Sequence, residues 1–223
     1  MQTISSTPAA GFLFRERPRT RTHGEGREAT VGTVRRYAKD EEIFGEGDRT
    51  AYYYKVLEGA VRTSKLLSDG RRQIGAFYLP GDLFGIEAGE EHRFSAEAVG
   101  DARIVSYKRC GLDILAANDN DFAVAIVEAM MQALARAQDH MLLLGRKSAI
   151  EKIATFLLDL AERLNEDSFE LSMSRTDIAD HLGLTIETVS RSLSQLERKG
   201  YIALPSTRRI ELRNKAALSR LDG

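Results

Sequence analysis

Apolar residues recur at helical spacing through the carboxy-terminal half of the chain. Ala123, Val127, Met130, Leu134, Ala137, Met141 and Leu144 are separated by 4, 3, 4, 3, 4 and 3 residues, a heptad seam kept for three repeats within a helix predicted over 113–145. Such a seam either packs against a neighbouring part of the same chain or pairs with its twin in a second copy. The small Ala123 and Ala137 would let a twin approach closely. A second helix is predicted from Ser148 to Leu164, with Ile150, Ile153, Ala154, Leu157, Leu158 and Ala161 on its apolar face. Between Thr30 and Lys108 the pattern changes to short apolar or aromatic runs punctuated by Gly47, Gly59, Gly70 and Gly81, spaced by 12, 11 and 11 residues. That spacing predicts consecutive short strands closing into a sandwich or barrel, with strands over 52–57, 60–66, 73–79 and 103–107. Residues 163–169 read as a polar connection.

The stretch from Ser174 to Lys199 predicts two short helices joined by a tight turn. Ser174 can accept the backbone N–H of Asp177, and the Asp177 carboxylate can return to the Ser174 N–H, a capping box. Ile178, Ala179 and Leu182 form the inner face of the first helix. Gly183 supplies the reversal, Leu184 plugs the corner and Thr185 caps the second helix. There Val189, Leu193 and Leu196 make one buried stripe. Ile186, Glu187, Thr188, Ser190, Arg191 and Ser194 are left outside it. After Gly200, residues 201–204 and 208–212 flank Pro205-Ser206-Thr207 as a hairpin wing. This is the outline of a winged helix-turn-helix, which binds double-stranded DNA.

On the exposed face, Arg191 can give two parallel hydrogen bonds to a guanine, and Glu187, one turn earlier, can accept from a cytosine N4. The same spacing also fits an ordinary i, i+4 ion pair. Ile186, Glu187, Thr188, Ser190 and Arg191 are the candidate base-reading residues. Ser174, Arg175, Thr185, Arg208 and Arg209 are the candidates for the DNA backbone. A small neutral cap at Ser174 would let a phosphate approach the helix end, and Asp at this position, capping as well as Ser, is expected to oppose the phosphate and leave folding intact. The alternative is that Ser174 is only a cap.

Charge changes the picture once divided by segment. The 223 residues carry a net charge of −1. From Ser172 onward there are nine Lys/Arg against six Asp/Glu, +3, whereas Asp40 to Leu171 has fifteen against twenty-four, −9. Phosphate attraction is local, screened over about 10 Å, so the acidic part costs little DNA affinity. No run of about 18 apolar residues and no charged-then-apolar leader is present, which predicts a cytoplasmic protein with no membrane contact. The lone Cys110 can form no internal disulfide and cannot alone hold an iron–sulfur cluster. Residues 1–27, rich in Ser, Thr, Pro, Gly and Arg, are expected to be a flexible tail. No enzyme chemistry and no cofactor are expected.

The run LGLTIETVSRSLSQLERKGYI (residues 182–202) resembles the DNA-binding end of the CRP/FNR superfamily of bacterial transcription regulators, in its FNR branch. There the Glu-x-x-Ser-Arg pattern, here Glu187, Ser190 and Arg191, reads a TTGAT-type half-site. The CRP branch has an Arg where this chain has Ile186. GDLFGIEAGEEHRFSAEAV (residues 81–99) is similar to the FixK-type subgroup, regulators of microaerobic respiration and nitrogen-fixation genes. The cysteine set on which FNR senses oxygen is missing. The resemblance, covering about Tyr37 to the C-terminus, implies an α+β chain: a cyclic-nucleotide-binding-like β-roll over 28–110, a long dimerisation helix over 111–146 and a winged helix-turn-helix over 147–223. It further implies a homodimeric activator at a palindromic TTGA/TCAA-type site that touches RNA polymerase, with the loops at residues 68–72 and 164–168 as candidate surfaces. Dimer symmetry would place the recognition helices about 34 Å apart on an inverted repeat.

Whether the β-roll takes a cyclic nucleotide is a separate question. Arg93 lies near the phosphate arginine of the nucleotide-binding relatives, but Phe94 follows it where a small hydroxyl residue is expected. Gly85-Ile86 stands in place of Gly-Glu, with Glu87 one position late. Effector-free DNA binding is therefore expected, with Arg93 tethering the roll to another segment. The rivals are a sensor whose DNA binding waits on an effector in the β-roll, and an acidic β-roll protein whose helical end binds another protein.

Overall fold

A computed structural model describes residues 32–109 and 120–222. The expected tail, Cys110 and the first turns of the helix expected from Asp113 lie outside the described residues. Eight strands, β1 (Thr33–Tyr37), β2 (Glu42–Phe44), β3 (Tyr52–Glu58), β4 (Val61–Leu66), β5 (Arg72–Tyr78), β6 (Leu83–Phe84), β7 (Ser95–Ala98) and β8 (Ala102–Lys108), form two antiparallel sheets ordered β1-β8-β3-β6 and β2-β7-β4-β5. They close on a core that includes Tyr37, Phe44, Tyr54, Val56, Val61, Phe84, Ala96 and Ile104. The four punctuating glycines all adopt positive φ. Gly59 shows why a side chain is excluded: its φ is +80°, and a Cβ there would run into the Asp101 carbonyl oxygen. The strand boundaries fall within a residue of expectation.

The long helix α1 (Asn120–Arg146) follows, about 40 Å long at 1.5 Å per residue. Ile126 and Leu143 are buried, but Val127, Met130, Leu134 and Met141 are 58%, 49%, 53% and 67% exposed. Ala137 is exposed as well. The seam is therefore not consumed by the chain's own core. Leu144 departs from it, turning towards Gly183 and packing on the carboxy-terminal core. The side chain of Ala123 lies outside those described.

Helix α2 (Ala149–Leu164) is amphipathic and buries a broad apolar face of Ile153, Ala154, Phe156, Leu157, Leu160 and Ala161. The stretch expected to be a polar connection contains a strand, β9 (Ser168–Glu170), whose Phe169 is buried. It pairs with β11 (Arg209–Leu212), which pairs with β10 (Ile202–Ala203), so the wing is a three-stranded sheet rather than an isolated hairpin. An isolated two-stranded hairpin is marginal in water, and β9 supplies the third strand. Helices α3 (Arg175–Leu182), α4 (Ile186–Arg198) and α5 (Lys215–Asp222) complete the chain. One continuous core joins α2 to α5 with Ala60, Ile74, Phe77, Leu79 and Val99 of the β-roll. No helix among the described residues is long and apolar enough to cross a membrane.

Candidate nucleic-acid interface

The turn between α3 and α4 is built as its residues dictate. Ser174 Oγ accepts the Asp177 N–H at 3.1 Å, and Asp177 Oδ2 accepts the Ser174 N–H at 3.0 Å. Gly183 stands at φ +63°, its N–H returning to the Ala179 carbonyl, and Leu184 packs on the core. Thr185 caps α4 by accepting the Thr188 N–H at 3.2 Å. Ile178, Ala179, Leu182, Val189, Leu193 and Leu196 are buried, so α4 can turn only its remaining face outward. The buried ammonium of Lys152 donates to the Leu182 carbonyl at 3.0 Å, satisfying an otherwise unpaired carbonyl at the end of α3.

The candidate readers gather on the outward face of α4. Ile186, Glu187 and Arg191 are exposed, while Thr188 and Ser190 are half-buried. Arg191 reaches the Thr188 hydroxyl at 3.3 Å. Glu187 is held below the usual carboxylate range first by its own backbone N–H at the helix start, then by Thr185 and Arg191. The structure brings Arg175, a backbone candidate, against a base-reading candidate: its guanidinium donates to Ser190 Oγ at 3.0 Å. At the wing, Ser206 Oγ accepts the Arg209 N–H at 3.0 Å, Arg209 donates to Ser168 at 3.0 Å, and Arg208 is exposed. A cleft of about 320 Å³ beside Ser174 is lined by Lys39, Arg62, Arg72 and Arg208 together with the carboxylates of Asp40 and Asp177.

Ser174 requires a correction. Its hydroxyl also donates to Asp177 Oδ2 at 2.7 Å, and Asp177 is only 4% exposed. Burial alone would raise the Asp177 carboxyl, but bonds from the Ser174 hydroxyl and backbone, with Arg62 and Arg72 alongside, hold it low. An Asp at 174 would set a second carboxylate against this buried one, so it would not leave folding intact. Sequence reasoning missed Arg62 and Arg72 as partners of α3. They lie more than 100 residues away, and nothing local marks them.

In the β-roll an open cleft of about 440 Å³ is lined by Glu46, Glu90, Glu91, Lys65, His92 and Arg93, with Gly47 and Gly89. Lys65 is paired with Glu46 at 2.6 Å. Glu87 is already engaged, with Oε1 3.0 Å from His92 Nδ1 and Oε2 accepting the Arg93 N–H at 3.0 Å. The Phe94 ring lies against Gly75. The Arg93 side chain is exposed and, among the described residues, ties the roll to no other segment. That work falls to Arg62, to Arg72 and to Arg163, which donates to Asp82 at 2.7 Å and to the Phe77 carbonyl at 2.9 Å.

Comparison with known proteins agrees with this geometry. A Crp-like helix-turn-helix domain model matches residues 151–221, and a cyclic nucleotide-binding domain model matches residues 34–119. The nitrogen fixation regulation protein FixK of Azorhizobium caulinodans is 52% identical over 200 residues, covering 87% of this chain and 81% of its own. The protein of the same name from Rhizobium meliloti is 43% identical, covering 84% and 86%. The solved structure of FixK2 from Bradyrhizobium japonicum superposes with a TM-score of 0.82 at 51% identity, covering 86% of this chain and 98% of that one.

Proposed function

Because the chain belongs to the CRP/FNR family of transcription regulators, in its FixK-type branch, and so is a DNA-binding regulator and not an enzyme, we propose that it acts as a homodimer at an inverted TTGA/TCAA repeat, without a small-molecule effector. The observation that carries this reading is the presence of two outward-facing surfaces. The outer face of α4 presents Ile186, Glu187 and Arg191, and α1 presents an apolar stripe from Val127 to Met141. Glu187 and Arg191 on one face are the pair that suits a G·C step, as in the TTGA half-site. Phosphate contacts fall to Ser174, Arg175, Thr185, Arg208 and Arg209, with Lys39 near Ser174. The stripe on α1 supplies the two-fold contact that duplicates the reader.

Effector independence is supported by the β-roll cleft. Three carboxylates face it, and one of its two long cations is paired with one of them, which opposes a phosphate rather than cradling it. The named relatives are nitrogen fixation regulation proteins, and we assign this chain the same class of target, as an activator in the cytoplasm. The loop around Ser68 to Arg71 is exposed and suits contact with RNA polymerase, whereas Arg72 is taken by α3. A footprint of the purified chain with no added nucleotide tests the proposal. Two protected half-sites one helical turn apart are expected, and no protection without a cyclic nucleotide would refute effector independence.

A further inference from the structure

The carboxy-terminal part of the chain is held to the β-roll by a cluster of charges centred on the buried Arg62–Asp177 pair. Arg62 on β4 is only 7% exposed in its side chain. Its Nη1 donates to Asp177 Oδ1 at 3.1 Å, while Nε and Nη2 hold Glu97 at 2.9 and 2.7 Å and Nη2 also reaches Asp40 at 2.9 Å. From β5, Arg72 donates to the same Asp177 oxygen at 2.7 Å and to Asp180 at 2.9 Å. One turn along α3, His181 Nδ1 lies 3.1 Å from the Ile74 carbonyl, and its ring stacks on His140 of α1 at 4.1 Å. Helix α3 is thus gripped by the β-roll along one side and by α1 at its far end.

We infer that Arg62 is a positioning residue for DNA binding, acting through Asp177 to fix the angle at which α3 and α4 are presented relative to α1. Only Lys147 and Ser148 connect α1 to α2, and so short a hinge sets no single angle by itself. The clamp does: Arg62 is ordered by three carboxylates, two of them from its own β-roll, so that Asp177 docks on a guanidinium already held in place. Buried bidentate and shared guanidinium contacts are geometrically demanding, which is why Arg rather than Lys suits this position. In a dimer whose two readers must meet half-sites at one spacing, this angle is part of the recognition. The inference rests on the dimeric DNA-binding reading above.

Asp177→Asn is the decisive variant. Asn keeps one acceptor oxygen for the cap on the Ser174 N–H and puts an NH2 donor where Oδ1 accepted from Arg62 and Arg72. On phosphate electrostatics alone, removing a carboxylate from the DNA-binding end strengthens binding. The clamp requires the opposite sign. If loosening leaves the cognate angle populated about a tenth of the time, the apparent Kd rises about tenfold. Binding is measured at fixed salt to duplexes with the half-sites at cognate spacing and with one base pair inserted or deleted, alongside the melting temperature. The wild type should prefer the cognate spacing. Asp177→Asn and Arg62→Met should bind that duplex about tenfold more weakly and with a flattened spacing preference, a readout that loss of stability alone does not move. Should Arg62→Met fail to fold, Asp177→Asn decides alone. Unchanged or tighter binding by folded Asp177→Asn, with spacing discrimination intact, would overturn the clamp. A wild type that binds no TTGA/TCAA duplex, or is indifferent to spacing, would instead overturn the dimeric reading on which it rests.

Discussion

Arg191 has the most direct consequences at the residue scale. It is exposed on α4, and its hydrogen bond to the Thr188 hydroxyl is 3.3 Å long, weak enough to yield to a base edge. Arg191→Ala should cost about 1–3 kcal/mol at the cognate site and far less on random DNA, because a bidentate base contact carries sequence information and a phosphate contact does not. Titration of both duplexes with the variant checks this, and equal losses would remove Arg191 from base reading. Ser174→Asp should depress the melting temperature as well as DNA affinity, since its new carboxylate meets Asp177, with Oδ2 now 2.7 Å from the Ser174 hydroxyl. Thermal denaturation of the variant gives the answer, with unchanged melting contradicting the contact. The capping box, the Gly183 reversal and the Thr185 cap were legible in the sequence because each is satisfied within a few residues. The ions that neutralise Asp177 were not, because tertiary folding alone brings Arg62 and Arg72 to it.

Among the elements, α1 and α3 carry the testable physics. The seam on α1 was legible as a period, and the structure adds which of its positions face outward. Met130→Glu or Leu134→Glu should abolish dimers while leaving the melting of the monomer fold little changed, because both positions are about half exposed and exposed sites usually shift stability by under about 0.5 kcal/mol. Sedimentation showing an intact dimer would move the interface elsewhere. On α3, burial pushes His181 down to about 3, with the neighbouring His140 as a second cause. Between about pH 6.5 and that value the unfolded chain binds a proton that the folded chain refuses, so stability falls as pH is lowered through this window, by up to about 1.4 kcal/mol per pH unit. Denaturant unfolding of wild type and His181→Gln at pH 7.5 and 5.5 should show the loss in the wild type and a smaller one in the variant. Parallel losses would mean that other groups dominate. Strand β9 escaped the sequence because three residues are too few for a period and Phe169 is its one large apolar side chain.

For the whole molecule, periodicity and glycine spacing revealed the order of the architecture: strands, then a long helix, then a helix-turn-helix with a wing. What they could not reveal is that the β-roll and the DNA-binding end share one core through Ile74, Phe77 and Leu79, since those residues look like any strand's apolar face. That shared core and the ion cluster centred on the buried Arg62–Asp177 pair tie the DNA-binding end to the β-roll. The most direct measurement is an anisotropy titration of the effector-free chain at fixed salt on three duplexes: an inverted TTGA/TCAA repeat, the same duplex with one half scrambled, and random DNA. Tight binding to the intact repeat is expected, at least about 10³-fold over random DNA, with a large loss when either half is scrambled. Equal affinity for all three duplexes, or binding to the intact repeat only after a cyclic nucleotide is added, would contradict it.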